Sequence, residues 1–245
     1  MKSVSIVIPL WNRITLLKNT LDSIYRQKNL PEKLQVIVVE DRPLNDTGRN
    51  LCRSRGVEYY VRRRLGNEYS NVGPVYNCGI KQATGDVLIM QSAEIKYETI
   101  TGIAELVASV QDDELSSAVP IVQSLTHEGA FAEWFCHPRG GERPGWTGFF
   151  AHAIHRSQIL KIQGYDEIFQ GYGFDDDLLL FRMKKNGIQT KFVESVLVSH
   201  QWHQRHEGIT QETEANRQIF VAKKEAVDFG REPNIANLNC EWGVL

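Results

Sequence analysis

Four short apolar runs, separated by segments of helix length, constrain this chain more than anything else in it. They are Val4-Ser5-Ile6-Val7-Ile8-Pro9, Gln35-Val36-Ile37-Val38-Val39, Val57-Glu58-Tyr59-Tyr60-Val61 and Val87-Leu88-Ile89-Met90. Continuous rather than alternating apolarity marks strands covered on both faces. The intervening segments read as helices: an amphipathic stretch over 14–27, one that starts near Pro74 and stops at Gly85, and one over 99–110. Strands joined in this way form a parallel sheet, whose ligands bind beyond the carboxyl ends of the strands. Those ends carry Trp11-Asn12-Arg13, Glu40-Asp41 and Gln91-Ser92-Ala93-Glu94. The expected fold is therefore α/β: a Rossmann-like, mostly parallel sheet flanked by helices in a single domain.

A second concentration of chemistry lies at Gly171-Tyr172-Gly173-Phe174-Asp175-Asp176-Asp177-Leu178, where three carboxylates stand between a glycine turn and an apolar run. Residues 178–185 read as a helix, so the aspartates fall at a helix N-terminus. One reading is an N-cap with first-turn acids that complement the helix dipole. The other is a general base fixed by its neighbours. Further on, residues 191–199 read as a strand ended by His200, and 212–228 as a helix in an otherwise polar tail.

Composition narrows the field. With 245 residues, 42% hydrophobic and 24% charged, the chain is that of an ordinary globular protein. A net charge of −2 gives no electrostatic footprint for nucleic acid, and Arg62-Arg63-Arg64 is too short to supply one. That triplet reads as a solvated loop or, alternatively, a phosphate contact. Cys52, Cys78, Cys136 and Cys240 show neither paired metal spacing nor a preceding signal peptide, which points to a reducing compartment. No apolar run reaches the roughly 18 residues of a membrane span. The expectation is a cytoplasmic protein, soluble or peripherally bound to a membrane.

The order strand, Pro9, Asn12, helix, strand, Glu40-Asp41, Asn77-x-Gly79-x-x-x-Ala83-x-Gly85-Asp86, strand, Ser92-Ala93-Glu94 resembles the family 2 glycosyltransferases with the GT-A fold. The second half extends the likeness: Ile162-Gln163-Gly164-Tyr165-Asp166-Glu167 and the aspartate segment resemble the acceptor-side segment of the inverting galactosyltransferase and N-acetylgalactosaminyltransferase members. The resemblance, which makes the expected sheet a mixed one, covers about residues 3–205.

What it implies is a nucleotide diphosphate sugar donor, UDP-linked by the family's habit, and a hydroxyl acceptor on a saccharide or another molecule. Asp41 matches the position that contacts base or ribose, with Glu40 beside it; a turn-forming pair before Pro43 is the plainer alternative. Pro9, Asn12 and Arg13 match the loop that wraps the nucleotide, and Asn77 and Ser92 join the donor side. Glu94 occupies the last place of the family's Asp-x-Asp triplet, whose acid binds Mn2+ or Mg2+; here only that one carboxylate is left. His200 is the implied second metal ligand, with His203 as its alternative, and His203 and His206 also suit a solvated loop. Asp176 matches the general base, Asp175 would hold an acceptor hydroxyl, and Asp177 would cap the helix or touch the acceptor. Trp146, with Gly145, Thr147 and Trp134, either stacks on a sugar or fills the core. The loop over 136–145 reads as a lid or as an ordinary connection.

The expected activity is an inverting hexosyl transfer that depends on a divalent metal. The donor half spans 1–115, the acceptor and catalytic half 116–207, and a helical tail 208–245. Two alternatives stay open: a non-catalytic nucleotide-sugar or carbohydrate-binding protein of the same fold, and a sugar nucleotidyltransferase.

Overall fold

The computed structural model of the protein describes residues 2–62, 71–143, 145–146, 148–204, 209–238 and 240–245. Arg63, Arg64, Thr147, Arg205 and His206 lie outside the described residues.

In chain order the elements are β1 (Val4–Leu10), α1 (Ile14–Tyr25), β2 (Leu34–Asp41), α2 (Thr47–Ser54), β3 (Glu58–Arg62), α3 (Gly73–Gln82), β4 (Val87–Gln91), β5 (Ile95–Tyr97), α4 (Gly102–Ala108), β6 (Ser116–Leu125), β7 (Phe131–Cys136), β8 (Ala151–His155), α5 (Arg156–Lys161), α6 (Asp175–Lys185), β9 (Gln189–His200) and α7 (Ile209–Asp228). The described strands form one mixed sheet in the order β3-β2-β1-β4-β8-β6-β9-β5, with β7 added to β6. The expected parallel pairings hold on one side, where β1 lies between β2 and β4 and β2 pairs with β3. Past β4 the chain reverses: β8 is antiparallel to both β4 and β6, while β9 runs parallel to β6 and antiparallel to β5.

All seven residues of β1 are buried because both faces of the strand are covered. Its alternation sends Val4, Ile6, Ile8 and Leu10 to one side, against Leu17, Leu21 and Ile24 of α1, which recur at helical spacing. Val7 points to the other side, into a cluster with Ile37 and Val39 of β2, Tyr76 and Ile80 of α3, Tyr165, and Leu179 and Met183 of α6. Each fully buried Leu or Ile contributes about 1.5–3 kcal/mol. Gly85 closes the turn from α3 into β4, where a side chain would run into the backbone of Val4 and Ser5.

Some boundaries move. The helix expected to start at Leu178 starts at Asp175, so all three aspartates are inside its first turn. The cap position belongs to Phe174, in the left-handed region at φ 65°, and makes no side-chain cap bond. The role of helix cap expected for Asp177 is thereby corrected: it is the third helical residue and pairs with Arg143 at 3.0 Å. The helix expected over 99–110 is α4, shorter at both ends.

The tail docks on the domain. α7 runs beside α6, and Asp228 at its end meets Lys185 at the end of α6 at 2.6 Å. Trp242 packs into the second cluster beneath Lys81, and Asn237 bonds the backbone of Gln163, Tyr165 and Glu167. Among the described residues no helix is long and apolar enough to cross a membrane.

Candidate active site

The strand ends and two loops enclose a cavity of about 1090 Å³. Pro9, Trp11 and Arg13 follow β1 into it, Asp41 ends β2, and Ser92 and Glu94 follow β4. Another wall is made by Asp175, Asp176 and Asp177 at the start of α6, with Trp146, while His200 and His203 stand on the side of Glu94. Most of the side chains expected to act together are thus brought to one space, although they lie far apart in sequence.

Three expected donor contacts are not. Glu40 points away from the cavity because adjacent strand residues face opposite sides of the sheet; it is buried and accepts a hydrogen bond from the Tyr59 hydroxyl at 2.6 Å. Asn77 sits on the inner face of α3, fully buried, where it ties that helix to the next segment. Its Nδ2 donates to the Tyr165 carbonyl at 2.9 Å and to Glu167 at 2.8 Å, and its Oδ1 accepts from the Tyr165 amide at 2.8 Å. Asn12 takes the exposed left-handed turn after β1, φ 49°, and does not line the cavity.

On the donor wall, burial works against ionisation of Glu94. The Arg13 guanidinium, which pairs directly with it, outweighs burial together with the imidazoles of His200 and His203, and the carboxyl stays below its usual range. Asp41 is buried between Arg42, 3.3 Å away, and Arg62, 3.5 Å away, so the described part of the arginine triplet is ion-paired rather than solvated. His200 is packed among Phe135, Phe150 and His203, with ring centroids 5.1–5.2 Å away.

Among the described residues no three His, Cys, Asp or Glu side chains close into a metal cage. The donor set present is one hard carboxylate with two imidazoles within its field. That set would suit a hard divalent ion such as Mg2+, which is commonly held by only one or two protein carboxylates. Taking it up requires Arg13 to give way at Glu94.

The aspartate wall has the opposite electrostatics. Burial pushes the Asp175 carboxyl up to about 6, with the charge of Asp177 adding to it and the Asn71 side chain and backbone N–H groups opposing it. Asp176 is raised further, by burial and then by the charges of Asp175 and Asp177; the Tyr165 hydroxyl and the backbone by Phe149 face it and partly offset this. Asp176 is surrounded by protein yet keeps part of its surface open to the cavity. A carboxylate that binds its proton tightly, held against an open space, is equipped to take a proton from a ligand hydroxyl.

Trp146 is half-buried, lies under the Arg143 guanidinium at 4.4 Å and meets Phe150 edge-on at 6.0 Å. Since Arg143 also holds Asp177, the loop it belongs to is tied to the start of α6.

Reasoning from the sequence missed several lining residues. Asn71 closes the turn into α3 by accepting from the Gly73 amide at 2.8 Å and donates to the Gly171 carbonyl at 3.0 Å, joining the two walls; an asparagine just ahead of Gly73-Pro74 was the available signal. Trp202 lines the cavity and is 48% exposed, too much for a core residue; Trp11, placed at a strand end by the sequence but given no role there, lines it as well. Ile209 and Thr213 of the tail helix line it as well, and nothing in the sequence marks them.

A model of "Glycosyl transferase family 2" matches residues 5–157, and a model described as "N-terminal domain of galactosyltransferase" matches residues 142–207. No curated protein matches the chain. Among solved structures, GalNAc-T7 with UDP, GalNAc and Mn2+ superposes with a TM-score of 0.71 at 19% identity, over 91% of this chain and 48% of that one. A mannosyltransferase from Pyrobaculum calidifontis, PcManGT, in complex with GDP-Man and Mn2+ gives 0.64 at 16%, over 94% and 65%. S. aureus TarS 1-349 in complex with UDP-GlcNAc gives 0.62 at 15%, over 83% and 60%. The chain therefore spans about half to two thirds of each of these proteins, and the likeness establishes the shared GT-A fold.

Proposed function

Because the chain belongs to glycosyl transferase family 2, we propose that it transfers a hexose, with inversion, from a nucleotide diphosphate sugar to a hydroxyl of a saccharide or another acceptor. The observation that carries this is the polarity of the one cavity: a cationic Arg13 with Glu94 and two imidazoles on one wall, and on the other Asp176 with a raised proton affinity. UDP is the proposed nucleotide, since two of the superposed structures hold UDP or a UDP-sugar.

In this reading residues 1–115 bind the donor, 116–207 the acceptor, and Asp41, Ser92 and Pro9 seat the nucleoside. Arg13 meets the diphosphate. Glu94 with His200, or His203 in its place, would hold Mn2+ or Mg2+, which supplies positive charge to the leaving diphosphate. Trp146 offers a face to the acceptor sugar and Asp175 orients the hydroxyl. The acceptor proton passes to an Asp176 oxygen as the acceptor oxygen bonds the anomeric carbon. The bond from that carbon to the diphosphate breaks, and its electron pair leaves with the nucleoside diphosphate. A single displacement from the side opposite the leaving group inverts the anomeric centre.

The test is thermal stabilisation by UDP, GDP and their sugars, with and without Mn2+, on the wild type, Glu94→Ala and Asp176→Asn, followed by a transfer assay. A ligand of the native state raises the melting temperature by mass action. The expected pattern is a nucleotide shift enhanced by Mn2+, weakened in Glu94→Ala and kept in Asp176→Asn, which no longer transfers. Absence of any nucleotide shift in folded wild type overturns the donor site; undiminished transfer by Asp176→Asn overturns the base.

A further inference from the structure

The turn that aims the aspartates is strained, and what holds it comes from the tail. Gly171, Gly173 and Phe174 all have positive φ, 68°, 96° and 65°. For phenylalanine that conformation costs about 1–3 kcal/mol and persists only where surrounding structure enforces it. Phe174 is the residue from which α6 departs, so the setting of this turn fixes the direction of Asp175 and Asp176.

α7 is attached there mainly by hydrogen bonds, with one aromatic contact beside them. Its one buried residue is polar: Asn216 donates through Nδ2 to the carbonyls of Gln170 at 2.8 Å and Tyr172 at 3.0 Å. One turn earlier, Glu212 accepts from the Tyr172 amide at 3.0 Å, and any side chain at Gly171 would overlap its carboxyl. Phe220, one turn later, packs on Phe174 with ring centroids 5.5 Å apart. Ile209 and Thr213 on the same face complete the cavity wall. A helix serving only as cover would bury an apolar stripe; this one spends its buried contacts on the backbone of a strained turn.

We propose that Glu212 and Asn216 are positioning residues: they clamp residues 170–174 so that Asp176 addresses the acceptor hydroxyl. The catalytic part of this inference rests on the reading of Asp176 as the base.

The experiment uses the full chain as wild type, Asn216→Ala, Glu212→Ala, Glu212→Gln and Arg217→Ala. Arg217 lies on the exposed side of α7, paired with Glu214, and serves as the control. Amide hydrogen exchange over residues 172–177 reads the clamp directly, and kcat and donor KM read its effect on transfer. In Asn216→Ala and Glu212→Ala exchange should quicken by about tenfold, the opening expected from one lost hydrogen bond. Their kcat should fall on the order of 10²-fold, as for a small misplacement of a reacting group, with donor KM within about twofold. Glu212→Gln keeps an acceptor for the Tyr172 amide and should behave as wild type, as should Arg217→Ala. Unchanged exchange and kcat in folded Asn216→Ala and Glu212→Ala overturn the proposal. If the wild type transfers from no donor, the glycosyl-transfer reading falls, and the exchange rates alone uphold or overturn the clamp.

Discussion

Replacing Asp175 with asparagine should make the protein more stable at neutral pH, and the gain should vanish in acid. Burial moves the carboxyl from the ordinary range near 4 to about 6. The native state therefore holds that proton more tightly than the unfolded chain does. Stability then falls as pH rises between those two values, because deprotonation favours the state that binds fewer protons. The difference is roughly two pH units, and each is worth about 1.4 kcal/mol. Above pH 7 the ionised side chain thus works against folding by roughly 3 kcal/mol. Asparagine keeps an oxygen to accept the first-turn N–H bonds but carries no charge to desolvate. For a chain of this length about 1 kcal/mol corresponds to about 2–4 °C, so Asp175→Asn should melt about 6–12 °C higher at pH 7.5 and within a degree or two of wild type at pH 4. Differential scanning calorimetry of both proteins at half-unit steps over that range measures it; groups remote from Asp175 cancel in the difference, while Asp176, which the Asp175 charge raises, contributes to it. A difference that stays constant with pH, or a variant less stable than wild type at pH 7.5, would refute the electrostatic account of the aspartate wall.

Asn77→Ala should lower stability by about 2–4 kcal/mol, because buried partners in 165–167 lose their bonds, while the temperature shift produced by a saturating nucleotide stays as in wild type; a shift lost in folded protein would return Asn77 to the donor site. Arg182→Met leaves Asp166 charged and buried after removing its two bonds of 2.7 and 2.8 Å, and should cost about 3–5 kcal/mol in chemical denaturation, whereas the double change with Asp166→Leu should recover most of that loss.

The fold was legible where burial on two faces writes itself into a continuous apolar run, as in β1, β2 and β4, and the strand ends then located Arg13, Asp41 and Glu94. The place of the aspartate triplet was legible because a glycine turn before three acids and an apolar run marks a helix N-terminus. What stayed hidden depends on partners distant in sequence. Glu40 and Asp41 are adjacent and chemically alike, and only the register of β2 decides which enters the cavity. Asn77 reads as a polar residue near a motif until Tyr165, 88 positions on, supplies its partners. The pairing of Arg13 with Glu94 crosses 81 positions. The role of α7 is hidden most deeply, because its one buried residue is an asparagine and no apolar stripe sets it apart from a solvated helix.

The place of β5 has a bearing on how the molecule is made. This three-residue strand sits at the sheet edge and, among the described residues, pairs only with β9, Ile95 opposite His200. Glu94 precedes it directly, so the carboxylate and the imidazole meet through a pairing that closes a loop of about a hundred residues. Such long-range pairings form late, after local helices and hairpins. During synthesis the pairings of β1 with β2 and β4 need only the chain up to Gln91, whereas the wall that carries Glu94 lacks His200 until residue 200 arrives. A nucleotide that binds the completed wall would therefore favour chains in which this last pairing has closed.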